Sequence, residues 1–463
     1  MTEAPVPPTA VSLPQAIFAA LRHPVELTRA IRESDQEIMI QTLLTLSNQN
    51  EGNHVFVINA PKIPPLYIVH SQQGIMEVGN NPAIDKPDVL PAITTGNTEA
   101  FDWIMGSGFA DGKVNPKYTE QSKVAMPFIE RKRKGLAAVV ERHAANNLTP
   151  EPDGSVIDLH KLQAYSAGII LGDIFPAHNW DEDEVGRFVT MTERASLAIG
   201  PAFQNSVIRG LPLDQVIDSD LMRTTQETLK AEFRALLTEE EKIGQSDNKG
   251  LLRALKDAAA IPDSDAAFDD AMATTMNFFA ASYETVATSM NEFNYQMGQN
   301  PELWYEMQEL AISKPAEYNR KMGNILYESV RLVNPLAILL RKTTADVVVA
   351  GRAIPADSLI IAFPPAVLQD PQLFPNPKEM RTDLSEPQKQ AIRLAWGIDA
   401  GEDADIDRFC KGYAYAVAAM RTTFDFLLRN FNAPQLDLEY DPIRMTGTQK
   451  RPNFSALFTP VAA

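Results

Sequence analysis

The chain contains a single cysteine, Cys410, in the segment Arg408-Phe409-Cys410-Lys411-Gly412. One cysteine excludes an internal disulfide framework, and it also excludes zinc or iron–sulfur sites that need several cysteines. Cys410 is therefore either part of an inert core or a specific ligand or nucleophile. A helical pattern runs from Gly412 to Phe431 directly after it. The sulfur would lie near a helix N-terminus, where free N–H groups stabilise negative charge.

An acid and a base occur three residues apart in Tyr327-Glu328-Ser329-Val330-Arg331. At this spacing Glu328 and Arg331 share one helical face, where they can pair with each other and with the segment that follows. By itself such a pair is usually a solvated surface contact.

A third candidate is the acid–alcohol pair Glu284-Thr285, in a helix predicted from about Asp265 to Gly298. An acid next to an alcohol can deliver protons in general acid–base chemistry. The alternative is an amphipathic core helix in which the threonine hydroxyl bonds the preceding turn.

Composition limits the classes of partner. The 463 residues are 44% hydrophobic, enough to bury a large cofactor, and carry a formal charge of -18, which disfavours binding to nucleic acid. Prolines interrupt Met1 to Leu27, which shows neither a signal peptide nor an unbroken apolar span. We therefore expect a soluble, cytoplasmic protein without a membrane anchor, whose partner is a small molecule.

The pattern along the chain is mainly helical. Helical spacing dominates from about Asp158 to Tyr327, with breaks at Gly210–Pro212, Gly244–Gly250 and Ile261–Asp263. Strand patterns occur at Val55–Ile58, Leu66–His70, Asp346–Val349 and Leu359–Phe363. Gln369 to Asp407 is rich in proline and acidic residues and predicts a long irregular segment. No repeat or linker divides the chain, so one domain over residues 1–463 is expected.

These elements occur in a characteristic order. After Glu328 and Arg331 come Pro335, Arg341, the turn Gly351–Pro355, the strand at Leu359 and then Asp370-Pro371, before Cys410. From Tyr327 to Phe431 this order resembles the cytochrome P-450 superfamily of haem-thiolate enzymes. The resemblance implies a mainly α fold with small β-sheets. It also implies a haem b (iron protoporphyrin IX) between the long central helix and the helix after the cysteine, with Cys410 bound to iron.

The resemblance also implies roles for further residues. Glu284 and Thr285 would manage protons during oxygen activation, and Ala281 would let the long helix pass over the haem. Ser282 stands where the family usually has glycine. Gly412 would let the backbone approach the porphyrin. The remaining assignments are propionate binding by Arg341 and Arg408, a third contribution from Tyr118 and Lys123, and the structural signature formed by Glu328 and Arg331.

The ligand loop departs from the usual family pattern. Leu394 to Gly397 is followed by an apparent insertion, Ile398 to Asp407, that carries five acidic residues. Such a loop is similar to that of plant allene oxide synthases and hydroperoxide lyases, which rearrange fatty-acid hydroperoxides without a reductase. That subgroup relies on an asparagine in the long helix, whereas the nearest match here is Ala281. The loop favours rearrangement, whereas the long helix favours oxygenation.

Three functions follow from the resemblance. The first is a monooxygenase-type oxidoreductase that oxidises a lipophilic small molecule, with electrons from a ferredoxin or flavodoxin-type donor, or with none if peroxide drives it. The second is reductase-independent rearrangement, dehydration or cleavage of a fatty-acid hydroperoxide. The third is a non-catalytic haem carrier or sensor, for which Glu284 and Thr285 would be unnecessary.

Overall fold

The structure of the protein, a computed structural model, describes residues 8–12, 37–50, 52–60, 63–85, 116–148, 151–194, 219–243, 249–398, 408–437, 443–446 and 448–461. Three features predicted from the sequence lie wholly or mostly outside these residues: the break at Gly210–Pro212, the break at Gly244–Gly250, and the acidic part of the loop insertion from Asp399 to Asp407. No helix among the described residues is both long enough and apolar enough to cross a membrane.

Helices and strands are numbered here in chain order. The helices are α1 Glu37–Gln49, α2 Gln72–Asn80, α3 Pro116–Arg133, α4 Leu136–Asn147, α5 Leu159–Ile174, α6 Ser219–Ile243, α7 Leu251–Asp257, α8 Asp265–Gln299, α9 Pro301–Ser313, α10 Pro315–Val333, α11 Pro364–Leu368, α12 Glu386–Arg393 and α13 Tyr413–Asn430. Residues 182–194 are also helical. The strands are β1 Thr9–Ser12, β2 Val55–Ala60, β3 Ile63–Val69, β4 Ile84–Asp85, β5 Ser155–Asp158, β6 Leu339–Thr343, β7 Val347–Val349, β8 Arg352–Ile354, β9 Leu359–Ala362, β10 Gly397–Ile398, β11 Arg408–Phe409, β12 Gln435–Leu436, β13 Arg444–Thr446, β14 Thr448–Lys450 and β15 Ser455–Phe458.

The chain separates into two compact units. The first contains Met1–Pro87, Ala316–Cys410 and Pro442–Arg451, and the second contains Asp88–Pro315, Lys411–Asp441 and Pro452–Ala463. The expectation of one domain over residues 1–463 stays a prediction, and each unit is described by itself.

A six-stranded sheet organises the first unit, with strand order β1-β2-β3-β9-β6-β4. Alternate residues point to opposite faces of a strand, and the three central strands follow this rule. Val57, Tyr67 and Ile360 enter one apolar cluster together with α2 and α12. Phe56 and Ile361 enter another cluster together with α1. Both faces of the sheet are therefore covered, which explains the apolar β2 and β9 sequences.

The 35-residue helix α8 organises the second unit. The Ser264 hydroxyl accepts a hydrogen bond from the backbone N–H of Ala267 and caps the helix start, and Asn300-Pro301 ends it. The helix packs against α3, α5, α7, α9 and α13. In the same unit, β12, β15 and β5 form a small three-stranded sheet.

Most of the predicted elements are present. The four strand patterns correspond to β2, β3, β7 and β9, and the two helical patterns around the candidate site correspond to α8 and α13. The expectation of a long irregular segment from Gln369 to Asp407 is wrong in part, because Glu386–Arg393 forms α12. The helix starts with a capping box between Ser385 and Gln388 and has a proline in its first turn. The capping box and the proline favour the start of a helix, and they outweigh the acidic composition of this segment.

Burial perturbs one histidine of the first unit. The His70 ring lies against Phe56, with 5.3 Å between ring centroids. Burial, and then the nearby charge of His54, lowers the pKa of His70 to about 4. The unfolded imidazole has a pKa of about 6.5, so the unfolded state binds more protons between these values. The stability that this histidine contributes is complete above about pH 6.5 and is lost as the pH falls toward 4.

We expect the free energy of unfolding to fall by on the order of 1–2 kcal/mol between pH 7 and pH 5 because of His70. Urea unfolding followed by far-UV circular dichroism at the two pH values measures this loss. The His70→Phe variant cannot titrate at this position and should show a correspondingly smaller decrease. An equal decrease in both proteins would contradict the assignment.

Candidate functional site

Glu328 and Arg331 form a fully buried ion pair on α10. Arg331 Nε donates to Glu328 Oε1 at 2.6 Å, and Arg331 Nη2 donates to Glu328 Oε2 at 2.8 Å. Both side chains have no exposed surface. The prediction that the two residues pair is confirmed, whereas the solvated surface contact that such a pair usually makes is not what the structure contains.

The remaining donors of Arg331 reach backbone carbonyls of the following segment. Nη1 donates to the carbonyl oxygens of Leu368 and Pro377 at 3.0 and 2.6 Å, and Nη2 donates to Glu379 at 3.0 Å. The guanidinium also lies over the Phe374 ring, 4.7 Å from its centroid. All five N–H groups of the guanidinium are thereby used.

The Glu328 carboxylate also holds the backbone of the same segment. Its Oε2 accepts a hydrogen bond from the backbone N–H of Arg381 at 3.0 Å. One turn earlier on α10, the Asn324 amide donates to the carbonyl oxygen of Thr382 at 2.8 Å. The carbonyls and amide that complete this network belong to residues whose side chains carry no recognisable pattern, so the sequence offered no means of finding them.

A tight turn precedes Cys410. After α12 and a short 3-10 turn, Gly397 has φ +109°, a conformation that glycine adopts without steric cost. Gly397 then pairs with Phe409 in the two-stranded β10–β11 ladder. The backbone N–H of Cys410 donates to the carbonyl oxygen of Trp396 at 2.8 Å. The position of Cys410 is thus set by residues on both sides of the loop insertion.

Cys410 forms no disulfide and is partly exposed, rather than sealed in an apolar core. The Arg393 guanidinium lies 4.8 Å from the centroid of the Phe409 ring, next to the cysteine. Two residues after Cys410, Gly412 occupies the N-cap position of α13 and provides no side-chain cap. A partly exposed cysteine two residues before a helix N-cap is suited to ionise, because N–H groups at a helix start stabilise negative charge.

The predicted cationic residues have different surroundings. Arg341 lies in β6, paired in register with Ile360, and is only 5% exposed. Lys123 lies on the surface of α3, where its ammonium is 2.6 Å from Glu120 and 65% of its side chain is exposed. The backbones of Arg408 and Tyr118 lie in β11 and α3, but their side chains are outside the described part of the structure.

Helix α8 is buried over most of its length but opens at Ala281. Every residue from Val286 to Met297 is buried. Within Ala267 to Gly298, all of which the structure describes, Ala281 is the one exposed residue. A small exposed residue at the centre of a long helix allows a flat ligand to approach the helix backbone closely.

The hydroxyl groups beside this opening bond to the helix itself. Ser282 Oγ donates to the carbonyl oxygen of Phe278 at 2.5 Å. Thr285 Oγ1 lies 2.8 Å from the carbonyl oxygen of Ala281 and 3.3 Å from that of Ser282. The helix runs unbroken through this segment despite the serine at the usual glycine position. The bond from the threonine to the preceding turn, which the alternative of an amphipathic core helix includes, is therefore present.

Glu284 is half-buried beside Thr285, in contrast to its neighbour Tyr283. The Tyr283 ring is stacked on Phe279 with 4.9 Å between centroids. Burial, followed by the charges of Glu284 and Glu193, raises the pKa of Tyr283 above its usual range. Tyr283 therefore stays a protonated core residue, and Glu284 and Thr285 are the polar groups next to the open position.

Among the described residues, no group of three or more His, Cys, Asp or Glu side chains could hold a metal ion. A haem iron needs only one protein ligand on its thiolate side, because the porphyrin supplies the equatorial nitrogens.

The sequence model of the cytochrome P450 family matches residues 139–383, more than half of the chain. The protein belongs to the cytochrome P450 family. A solved structure titled as the crystal structure of a cytochrome P450, CYP102L1, superposes with a TM-score of 0.68, covering 99% of this chain and 100% of that chain at 16% identity. The predicted mainly helical P-450 fold with small sheets is confirmed.

Curated relatives match over shorter stretches. Cytochrome P450 9c1 of Drosophila melanogaster is 28% identical over 232 residues, which is 45% of this chain and 42% of that protein. Cytochrome P450 4V2 of Homo sapiens is 26% identical over 168 residues, covering 33% and 31%. The matched stretches span less than half of either relative.

The residues present fit the haem cofactor that the family implies. In the first unit Cys410 is partly exposed and Arg341 is a buried cation, and in the second unit Ala281 is exposed on α8. A thiolate, a cation for a propionate and a small residue are the three kinds of group that a haem-thiolate site requires.

We expect the Arg331→Gln variant to lose about 3–5 kcal/mol of stability, because it leaves the Glu328 carboxylate buried without its partner. Urea unfolding and the yield of folded protein measure the effect. The matched control is Arg133→Gln. Arg133 forms the same bidentate pair with Glu130 at the same spacing, but on an exposed helix surface.

The control should leave the urea midpoint unchanged within error, because exposed pairs contribute little. Equal shifts in the two variants would show that burial is not what makes the Glu328–Arg331 pair important.

Proposed function

We propose that the protein is a haem-thiolate monooxygenase-type oxidoreductase that oxidises a lipophilic small molecule. The observation that carries this proposal is the placement of Glu284 and Thr285 next to Ala281 on α8, where Ala281 is the one exposed residue between Ala267 and Gly298. An acid and an alcohol at this position have a use in an enzyme that activates oxygen, and none in a protein that only carries haem.

The haem, as haem b, would take Cys410 as its iron ligand, with Gly412 allowing close approach of the backbone. Arg341 and Arg408 would pair with the propionates, and Tyr118 and Lys123 are the third contributors in this proposal. For Lys123, this would require exchanging its surface contact with Glu120 for a propionate. When bound, the haem would supply the iron at which an O–O bond is cleaved, and the Cys410 thiolate would favour that cleavage by donating electrons to it.

Thr285 and Glu284 would move protons toward the reacting oxygen. The Thr285 hydroxyl directs its hydrogen to carbonyls of the preceding turn, so its oxygen lone pairs can accept a hydrogen bond from a water or an acid. Glu284 is one residue away and half-buried, which gives it access to solvent protons. The pair thus joins a solvent-connected acid to a hydroxyl held in a fixed orientation.

The proposed electron donor is a ferredoxin or flavodoxin-type protein, and the proposed location is the cytoplasm. The acidic insertion before Arg408 would repel an acidic donor if it lies on the donor's docking face, because charge complementarity steers such encounters. The same insertion favours a second candidate function, in which a fatty-acid hydroperoxide is rearranged, dehydrated or cleaved without external electrons.

We expect the Cys410→Ser variant to lose the thiolate-type ferrous carbonyl spectrum, because a serine hydroxyl cannot donate electrons as a thiolate does. The measurement is the absorbance difference spectrum of the reduced protein with and without carbon monoxide. Cys410 is the one cysteine of the chain, so a retained spectrum would show that Cys410 is not the iron ligand.

We expect Thr285→Ala to uncouple electron consumption from product formation, because a proton-transfer group contributes about 10²–10⁴-fold to the rate of the step that it serves. The ratio of peroxide released to electrons consumed measures it. Thr285→Ser keeps the hydroxyl and is the matched control, which should stay near the wild-type ratio. Unchanged coupling in the alanine variant would count against the proposed mechanism.

A separate assay distinguishes the second candidate. Ferric protein is mixed with a fatty-acid hydroperoxide in the absence of any reductant, and products are identified by mass spectrometry. Rapid conversion to an isomeric or dehydrated product would replace the oxygenase proposal by rearrangement, and no conversion would support the oxygenase.

A further inference from the structure

Tyr415, in the first turn of α13, is hydrogen-bonded to a carboxylate on another helix. Its hydroxyl donates to Asp173 Oδ2 at 2.5 Å, near the C-terminal end of α5. The other oxygen, Oδ1, lies 3.5 Å from Nζ of Lys132 in the last turn of α3. The Asp173 side chain is only 15% exposed and that of Lys132 21%. One poorly exposed carboxylate therefore connects three helices of the second unit.

The pKa shifts of Tyr415 and Asp173 agree with this geometry. Burial, and then the neighbouring Asp173 carboxylate, raises the pKa of Tyr415 well above its usual range, so the phenol remains a donor. Burial also raises the pKa of Asp173, while the hydrogen bond from Tyr415 and the charge of Lys132 act in the opposite direction. The carboxylate depends on both partners for its compensation.

The position of Tyr415 in the chain gives this contact its importance. Cys410 is followed by Lys411 and Gly412, and α13 starts at Tyr413. Gly412 provides no side-chain cap, and its carbonyl accepts the backbone N–H of Ala416 at 2.8 Å. The N–H groups of this first turn are those nearest to the cysteine along the chain, and N–H groups at a helix start stabilise a thiolate.

We propose that Tyr415 and Asp173 are positioning residues for the Cys410 thiolate, because their hydrogen bond fixes the first turn of α13 directly after the cysteine. Lys132 supports the pair by compensating the carboxylate. The inference rests on the proposed ligation of haem by Cys410. Neither Tyr415 nor Asp173 is assigned any contact with the haem or the substrate.

The chain offers a matched control on the same two helices. Tyr165 of α5 is a buried tyrosine whose hydroxyl pairs with Thr423 Oγ1 of α13 at 2.9 Å. This contact lies about two turns further along α13 than Tyr415. Both tyrosines link α5 to α13 through one hydroxyl, so Tyr165→Phe shows what the loss of such a link does away from the cysteine. Only Tyr415 lies in the turn that follows Cys410.

The experiment compares Tyr415→Phe with Tyr165→Phe in the haem-loaded protein, with two readouts that need no turnover. The first is the rate at which the ferrous carbonyl complex converts from the thiolate-type to the thiol-type spectrum. The second is the midpoint potential of the iron. For Tyr415→Phe we expect conversion about tenfold faster, in line with losing one hydrogen bond to a charged group. We also expect a more positive potential, because weaker thiolate donation favours the reduced iron.

Asp173→Asn is the second test variant. It replaces a hydrogen bond to a carboxylate with one to a neutral amide, so both readouts should shift in the same direction by a smaller amount. This variant decides the question if Tyr415→Phe does not yield folded protein. Tyr165→Phe should match the wild type in both readouts.

Conversion rates and potentials equal to those of Tyr165→Phe would overturn the proposal and leave Tyr415 as a packing residue. A failure of the proposed haem ligation by Cys410 would be seen in a different measurement. In that case the wild-type protein itself would lack a thiolate-type spectrum, before any variant is compared.

Discussion

A carboxylate and a guanidinium without access to water must find all of their hydrogen bonds inside the protein, since an unpaired buried charge costs several kcal/mol. Glu328 and Arg331 meet this requirement with backbone groups between Leu368 and Arg381. That stretch is consequently held in place without regular secondary structure. It leads through α12 and the Gly397 turn to the hydrogen bond that places Cys410. The position of Cys410 in the first unit thus depends, through these successive contacts, on the Glu328–Arg331 ion pair, which is far from it in sequence.

The second unit meets a different constraint, which is to keep one part of a buried helix accessible. The continuous burial from Val286 to Met297 holds α8 rigidly, and the small side chain of Ala281 leaves its surface open. The hydroxyls of Ser282 and Thr285 are satisfied by the helix's own carbonyls. These two hydroxyls next to the opening are therefore compatible with a helix that packs against several neighbours. Neither hydroxyl leaves a hydrogen-bond donor without an acceptor in the core.

Local patterns in the sequence predicted much of this arrangement. The apolar periodicity of α8 and α13, the β-branched and aromatic residues of β2 and β9, and the pairing of Glu328 with Arg331 all depend on residues close together in the chain. The helix α12 was missed although Ser385 and Gln388 form a recognisable capping box. The contacts of Arg331 with the carbonyls of Leu368, Pro377 and Glu379, and that between Asp173 and Tyr415, had no such pattern. Backbone acceptors exist at every residue, and two residues on distant helices acquire a relationship only when the chain folds.

The two Glu-x-x-Arg motifs show what decides between a structural centre and a surface contact. Glu130 with Arg133 and Glu328 with Arg331 have the same residue types, spacing and bidentate geometry. The α3 motif lies in a run of charged residues, whereas in α10 the neighbours Ile325, Leu326, Val330 and Val333 are all buried. Apolar residues on the flanks carry the α10 pair into the interior, where every hydrogen bond must be made within the protein. The motif acquires its structural importance from this burial, and the ion pair alone would contribute little.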